Sequence, residues 1–484
     1  MEEPIRLASY IGGTWTTASG PEHTDTNPAR PSEVVATYSV AGEGALEQAI
    51  SAAADAFQGW RSLAMQERAN VLSRAGALLE ERSADLAVEL TREQGKTLVE
   101  SRAEVGRAAE ILCFNASLAT RDQGEIYASP RRGERIWTLR APLGPVAVIT
   151  PWNVPIAIPA WKIAPALLYG NTVVWKPARL VPLLAYRFMQ ALEDAGLPAG
   201  VCNLVLGDTA VGEHLLTDPR IHACSFTGST EVGRQLIALG AGSGVKVQAE
   251  MGGKNAAIVF DDADLDWAVD QVLSAAMYST GQRCTATSRA LVARSRYDDF
   301  LALLAERAGE IRVGDPLEPE TEVGPLASAS QLRRVLDYFQ IARAQGGDVV
   351  AGGDALDDPS GGYYVQPTVV AGVAPDHRIF EEEVFGPLVA VMAVDSDDEA
   401  IELANRGRYG LAGAIFSRDV ERVFAAVERF DVGVLHVNSE SCGADPHVPF
   451  GGVKDSGTAQ REMGTAARDF YTELKTVYLR AGRP

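Results

Sequence analysis

The sequence predicts an α/β protein built as two lobes. From residue 145 onward, apolar runs of about five residues alternate with amphipathic stretches of about ten, as in parallel strands joined by helices. The chain has 484 residues, 46% of them hydrophobic, so about three folding units of ~150 residues can each hold a core. The five cysteines, at 113, 202, 224, 284 and 442, are odd in number and scattered. No CxxC or paired Cys/His spacing links them, so neither a disulfide framework nor a metal site is expected. That usage fits the reducing cytoplasm.

Taken in order, the first ~40 residues read as short strands and turns (IGGTW, then NPAR). ALEQAISAAADAFQGW and QERANVLSRAGALLEERSADLAVEL, within 45–122, carry apolar residues at helical spacing with charges between. TRDQG and SPRRGE break that pattern, and IWTLR then alternates like a strand. PVAVIT, NTVVW, CNLVLG, HACSF and VKVQ follow as apolar runs, separated by helical stretches such as AWKIAPALLYG and VGRQLIALG. AAIVF at 256 opens a second round that runs through RALVAR, LVAVMAV, LAGAIFS and VLHVN, so the lobes divide near 250. The terminal FYTELKTVYLR has the weight of a strand. A lone terminal strand needs a neighbour, and another subunit is a natural source.

Charge and hydropathy exclude several function classes. A net charge of −20 repels phosphate backbones and argues against general nucleic-acid binding. It leaves room for one local cationic pocket. The start, MEEPIRLASYIGG, has two acids and no apolar segment, unlike an export signal. No stretch approaches ~18 uninterrupted apolar residues, so no membrane span is expected.

Ligands in open α/β sheets bind beyond the carboxyl ends of strands. Four loops lie there in the first lobe. In PWNVP, Asn153 between prolines is either a rigid amide donor for an oxyanion or a turn-closing residue. TGSTEVG has G-x-x-x-x-G spacing, with Arg234-Gln235 where a Walker A loop has Lys-Ser/Thr, so it matches neither nucleotide fingerprint. Gly228 and Ser229 nevertheless open a helix whose free N–H groups favour anions, although Ser229 is equally an ordinary N-cap. In AEMGGKN, Glu250 is a general base or a structural partner of the glycine turn. NTVVW runs into KPAR, the fourth loop. In the second lobe, Cys284 of GQRCTA is a nucleophile or an inert filler. Arg283 beside it either reaches a substrate carboxylate or makes a structural ion pair. EEEVFGP (381–387) is a run of three acids of which two read as solvated. Cys113, Cys202 and Cys224 lie in apolar segments and read as core, and Cys442 is unassigned.

These motifs, in this order and with Glu250 and Cys284 34 residues apart, resemble the aldehyde dehydrogenase family. The resemblance runs from NPAR near residue 27 to PFGGVKDSG at 449–457. It implies a Rossmann-like cofactor lobe (1–122 and 141–251), a catalytic α/β lobe (252–446) and a bridging β flap (123–140 and 467–484), assembled as a homodimer or homotetramer. It implies that Cys284 attacks an aldehyde, Asn153 and the Cys284 N–H hold the oxyanion, and Glu250 activates water against the thioester. Lys162 resembles a family lysine near that asparagine, and Glu462 a glutamate that relays protons. For NAD or NADP, it implies contacts from Thr150, Pro151, Trp152, Lys176, Ala178, Gly207, Gly228, Ser229, Val232, Met251, Glu383 and Phe385. Arg179 departs from the glutamate that NAD-preferring relatives often carry, and a second cation beside Lys176 favours the 2′-phosphate of NADP. The substrate funnel is expected at Val154, Ile158, Trp161, Arg283 and Ala444. The branch it most resembles contains 2-oxoglutaric semialdehyde (2,5-dioxovalerate) dehydrogenases. Succinic semialdehyde and aromatic aldehydes such as vanillin are the alternatives. A CoA-acylating enzyme and a non-catalytic relative are the rival readings.

Overall fold

The structure, a computed structural model, describes residues 4–121, 123–480 and 482. The acidic start Met1–Glu3 and Asp122, which end segments delimited above, lie outside them. Two seven-stranded sheets dominate. The first runs Lys246–Glu250, Ala223–Thr227, Pro145–Ile149, Thr172–Lys176, Cys202–Leu204, Ser9–Ile11 and Thr14–Thr16 in spatial order. Its first five strands are parallel and the last two pair antiparallel. Pro145–Ile149 and Thr172–Lys176 are buried at every position, as strands covered by helices on both faces must be. The α/β class predicted from the sequence is therefore the class observed.

The chain's path through this sheet fixes where a ligand can sit. From Pro145–Ile149 it steps to one side, through Thr172–Lys176 and Cys202–Leu204, and then returns to Ala223–Thr227 on the other side. That reversal opens a crevice at the carboxyl ends of Pro145–Ile149 and Ala223–Thr227. PWNVP and TGSTEVG leave from those two ends.

The second sheet runs Asp348–Ala351, Thr368–Ala371, Leu388–Val394, Thr287–Ala293, Asn255–Val259, Ala412–Phe416 and Val434–Val437, parallel except for its first strand. Only residues 251–254 separate its strand Asn255–Val259 from the last strand of the first sheet. The amino ends of its strands therefore face the carboxyl ends of the first sheet. Cys284 lies three residues before Thr287–Ala293, in the gap between them.

A third, antiparallel sheet pairs Thr472–Arg480 with Glu134–Pro142 along its whole length, and Ile126–Tyr127 flanks the latter. The terminal strand thus finds its neighbour within its own chain. Phe470 and Tyr471 do not join that strand, contrary to the alternation of FYTELKTVYLR. They close a helix, Gly464–Tyr471, because Ala467, Phe470 and Tyr471 fall at helical spacing and are buried together. That burial outweighs the strand preference of the aromatics. Cys202 and Cys224 are core. Cys113 is not: in the helix Leu98–Ser117 it follows Ile111 and Leu112, which face inward, and is itself turned to solvent.

Candidate active site

Two cavities meet at Cys284 and Asn153. The larger, about 700 Å³, is walled by Trp152, Gly228, Ser229, Met251, Glu383 and Phe385, among others. Pro151 lines it too. The smaller, about 350 Å³, is walled by Val154, Ile158, Trp161, Arg283 and Ala444. Each lobe thus contributes one wall of a passage that has the thiol and the amide at its waist.

The larger cavity has the parts a dinucleotide needs. The helix Thr230–Ser243 begins at its rim, with Ser229 Oγ accepting from Val232 N at 3.4 Å. Ser229 is thus an N-cap and a cavity residue at once, at a helix end that favours anions. Glu383 Oε1 accepts from Gly253 N at 2.9 Å, so the last acid of the EEE run is fixed and faces the cavity. Glu381 is exposed, and Glu382 pairs with Arg378. A Cβ on Gly252 would lie 2.3 Å from Glu383 Oε2, so only glycine allows the carboxylate that position. Phe385 meets Trp152 edge-on at 5.4 Å, and its φ of +63° is a strained value for a side-chain-bearing residue. Arg334, Arg408 and Tyr409 lie on the rim beside Arg234 and carry no motif that marks them in the sequence.

At the waist, Asn153 Nδ2 donates one N–H to Gln282 O at 2.9 Å. An amide carries two, so one remains for a ligand. Asn255 fixes the other side: its Nδ2 donates to Cys284 O at 2.8 Å and Ala286 O at 2.9 Å, and its Oδ1 accepts from Ala412 N at 3.0 Å. Burial, and then the Glu383 carboxylate, push the Cys284 thiol up from its ordinary value. The resting group is a thiol that needs a base or a nearby cation to become a nucleophile.

Glu250 ends the strand Lys246–Glu250. Its carboxylate accepts from Gly452 N at 3.2 Å and Gln248 Nε2 at 3.0 Å, and it lines neither cavity in this rotamer. A Cβ on Gly451 would come 2.5 Å from its Oε1, which explains the first glycine of PFGG. Burial raises the Glu250 carboxyl well above its usual range, and Glu462 raises it further. Lys162 acts in the opposite sense. The Lys162 ammonium does not contact Asn153. It is fully buried and donates to Glu462 Oε2 at 2.8 Å, Ser225 Oγ at 3.0 Å and Phe226 O at 3.3 Å. Glu250, Lys162 and Glu462 form one buried ionisable group of three behind the waist.

In the smaller cavity, Trp161 is the one residue of the helix Ala157–Leu168 that is not fully inside the core. Its indole packs 5.8 Å from the Phe450 ring. Trp161 Nε1 and Arg283 Nε are buried without a hydrogen-bond partner among the described residues. Cys442 lies on the same wall.

Six of the named cofactor residues stand apart from these cavities. Lys176 ends the strand Thr172–Lys176 beneath the helix Thr209–Thr217, where a Cβ on Gly212 would be 3.5 Å from its Cδ. Burial lowers its amine to about 8. Arg179 is exposed and its Nη2 is 2.9 Å from His23 Nδ1, with Ala178 beside it. Gly207 bridges to Ala41, and Val232 lies in the first turn of Thr230–Ser243. Thr150 Oγ1 is buried, accepting from Trp175 Nε1 at 3.0 Å. Thr150 follows the carboxyl end of Pro145–Ile149, and Ala178 and Arg179 follow that of Thr172–Lys176.

The model of the aldehyde dehydrogenase family matches residues 15–477. The chain is 40% identical to the alpha-ketoglutaric semialdehyde dehydrogenase of Bacillus subtilis over 484 residues, covering 99% of both. It is 43% identical to the alpha-ketoglutarate semialdehyde dehydrogenase of Haloferax volcanii over 483 residues, again 99% of both. The crystal structure of betaine aldehyde dehydrogenase from Staphylococcus aureus in complex with NAD+ superposes with a TM-score of 0.95 at 34% identity, over 98% of this chain and 94% of that one.

Proposed function

The chain belongs to the aldehyde dehydrogenase family, and from that premise we propose that it oxidises a carboxylate-bearing semialdehyde, such as 2-oxoglutaric semialdehyde, to the corresponding acid. The observation that carries this reading is the meeting of two cavities at one thiol, with the Arg283 guanidinium on the wall of the smaller.

The aldehyde enters the smaller cavity and its carboxylate pairs with Arg283, a charge-assisted contact. The Cys284 thiol gives up its proton to solvent water, and the thiolate sulfur bonds to the carbonyl carbon. The oxyanion is held by the free N–H of Asn153 and by the Cys284 backbone N–H. Glu383 and the start of Thr230–Ser243 would hold the ribose and the phosphates of a nicotinamide dinucleotide in the larger cavity, and that group would supply the hydride acceptor when bound. Loss of hydride leaves a thioester on Cys284. Glu250 turns from Gly452 towards the waist and takes a proton from the water that cleaves it. Lys162 and Glu462 pass that proton on. Lys176 and Arg179, at and just beyond the carboxyl end of Thr172–Lys176, favour the 2′-phosphate of NADP. Glu250 argues for water and against CoA as the acyl acceptor. Intact Cys284, Asn153 and Glu250 argue against a non-catalytic relative.

Val154, Ile158, Trp161 and Phe450 give the cavity an apolar side, which favours an aromatic aldehyde as a second reading. Exposed Ile126 (89%), Tyr478 (61%) and Leu474 (54%) on the antiparallel sheet support assembly as a homodimer or homotetramer. Five free cysteines support a reducing cytoplasm.

The test is a panel of semialdehydes and aromatic aldehydes with NADP and NAD, followed through reduced nicotinamide. Arg283→Ala is expected to raise KM for carboxylate-bearing aldehydes about 10- to 100-fold and to leave aromatic ones unchanged. Equal effects on both classes would defeat the semialdehyde assignment.

A further inference from the structure

The helix Leu98–Ser117 supplies none of the motifs above, yet it grips both sides of the waist. Glu104 Oε1 accepts from the N–H groups of Ile156 at 3.0 Å and Ala157 at 3.3 Å. Its other oxygen pairs with Lys96, and Lys96 Nζ donates to Asn153 O at 2.8 Å. Both side chains are almost entirely buried. The residue that offers the oxyanion amide is thus held through its own carbonyl by a buried ammonium, which is held in turn by a buried carboxylate.

Glu100 lies one turn earlier on the same face. Its Oε1 accepts from Ser279 N at 2.6 Å and Ser279 Oγ at 3.1 Å, and its Oε2 accepts from Thr97 N at 2.9 Å. Ser279, Thr280 and Gly281 have φ of 54°, 56° and 63°. Three successive left-handed residues, two of them with side chains, persist only where their surroundings fix them. That run delivers Gln282, whose carbonyl takes the Asn153 amide, and then Cys284. The two glutamates are four residues apart, about 6 Å along a helix axis.

We propose that Glu100, and Glu104 with Lys96, are positioning residues, and that this helix is the spacer that sets the gap between the Asn153 amide and the Cys284 sulfur. This rests on the reading of those two groups as oxyanion donor and nucleophile. Glu104 governs the donor's side and Glu100 the sulfur's.

Two rates separate the roles: kcat for aldehyde oxidation per titrated thiol, and alkylation of Cys284 by iodoacetamide, which forms no oxyanion. Removing Glu104 alone would strand a buried ammonium, so the variant is Lys96→Met/Glu104→Met, which removes both charges and keeps the volume. Variants are compared at matched circular dichroism and cofactor affinity. The double variant is expected to lose about 100-fold in kcat while its alkylation stays within about twofold of wild type. Glu100→Ala is expected to lose in both rates, and Glu100→Gln, which keeps an acceptor for Ser279, to recover most of both. The proposal falls if the double variant keeps kcat within about threefold of wild type, or if it loses both rates equally. It also falls if Glu100→Gln is no better than Glu100→Ala. Failure of the wild-type chain to oxidise any aldehyde would instead overturn the reading on which the proposal rests.

Discussion

Replacing Lys162 by methionine and, separately, Glu462 by glutamine should move the pH dependence of thioester hydrolysis in opposite directions. Lys162 and Glu462 are 2.8 Å apart and almost fully buried. At an effective dielectric of ~20, that separation corresponds to about 6 kcal/mol of gross attraction, and breaking such a pair by removing one partner costs about 3–5 kcal/mol. Glu250 feels both charges: Glu462 raises its carboxyl and Lys162 lowers it. With Glu250 as the proposed base, hydrolysis should speed up with pH as that group loses its proton. Lys162→Met removes the charge that favours the carboxylate and should shift this limb upward by about one pH unit or more, since one unit is about 1.4 kcal/mol. Glu462→Gln removes the opposing charge and keeps an acceptor for Lys162, so the limb should move down. The assay is stopped-flow decay of the acyl-enzyme formed from an activated ester, across pH 5 to about 9. Shifts of the same sign, or no shift in either variant, would refute the coupling of these three groups.

Other outcomes follow from the same geometry. Gly451→Ala places a Cβ against Glu250 Oε1 at a φ of +147°, so deacylation should slow by about 10-fold or more while alkylation of Cys284 is unaffected. Lys176 loses its charge near pH 8, so NADP affinity measured by fluorescence should fall as pH rises through that value, while NAD affinity stays nearly flat. Arg179→Glu should weaken NADP about 10-fold or more and spare NAD, as read by the ratio of the two Kd values.

Much of this site was legible because its loops follow apolar runs. PWNVP and TGSTEVG sit at carboxyl ends of strands in the first sheet, where the reversal of strand order opens the crevice. The second lobe reaches the site from the other end of its strands, and no rule about carboxyl ends reveals that. Asn255 reads in the sequence as the first residue of an apolar strand, and only the packed structure shows it tying Cys284, Ala286 and Ala412 together. Glu100 and Glu104 have the spacing of a solvated helix face. Glu104 is buried by the Asn153 loop and Glu100 half-buried against the Ser279 turn, which lie 49 or more residues away in sequence. FYTELKTVYLR misleads for a related reason: its aromatics favour a strand locally, but the core takes them at helical spacing.

The most direct measurement is the mass of the peptide containing Cys284, taken from Glu250→Gln protein quenched after mixing with NADP and 2-oxoglutaric semialdehyde. The peptide should carry the acyl group in thioester linkage, with one reduced nicotinamide released per thiol and little turnover after that. An unmodified Cys284 peptide from protein that still turns over at the wild-type rate would contradict the account.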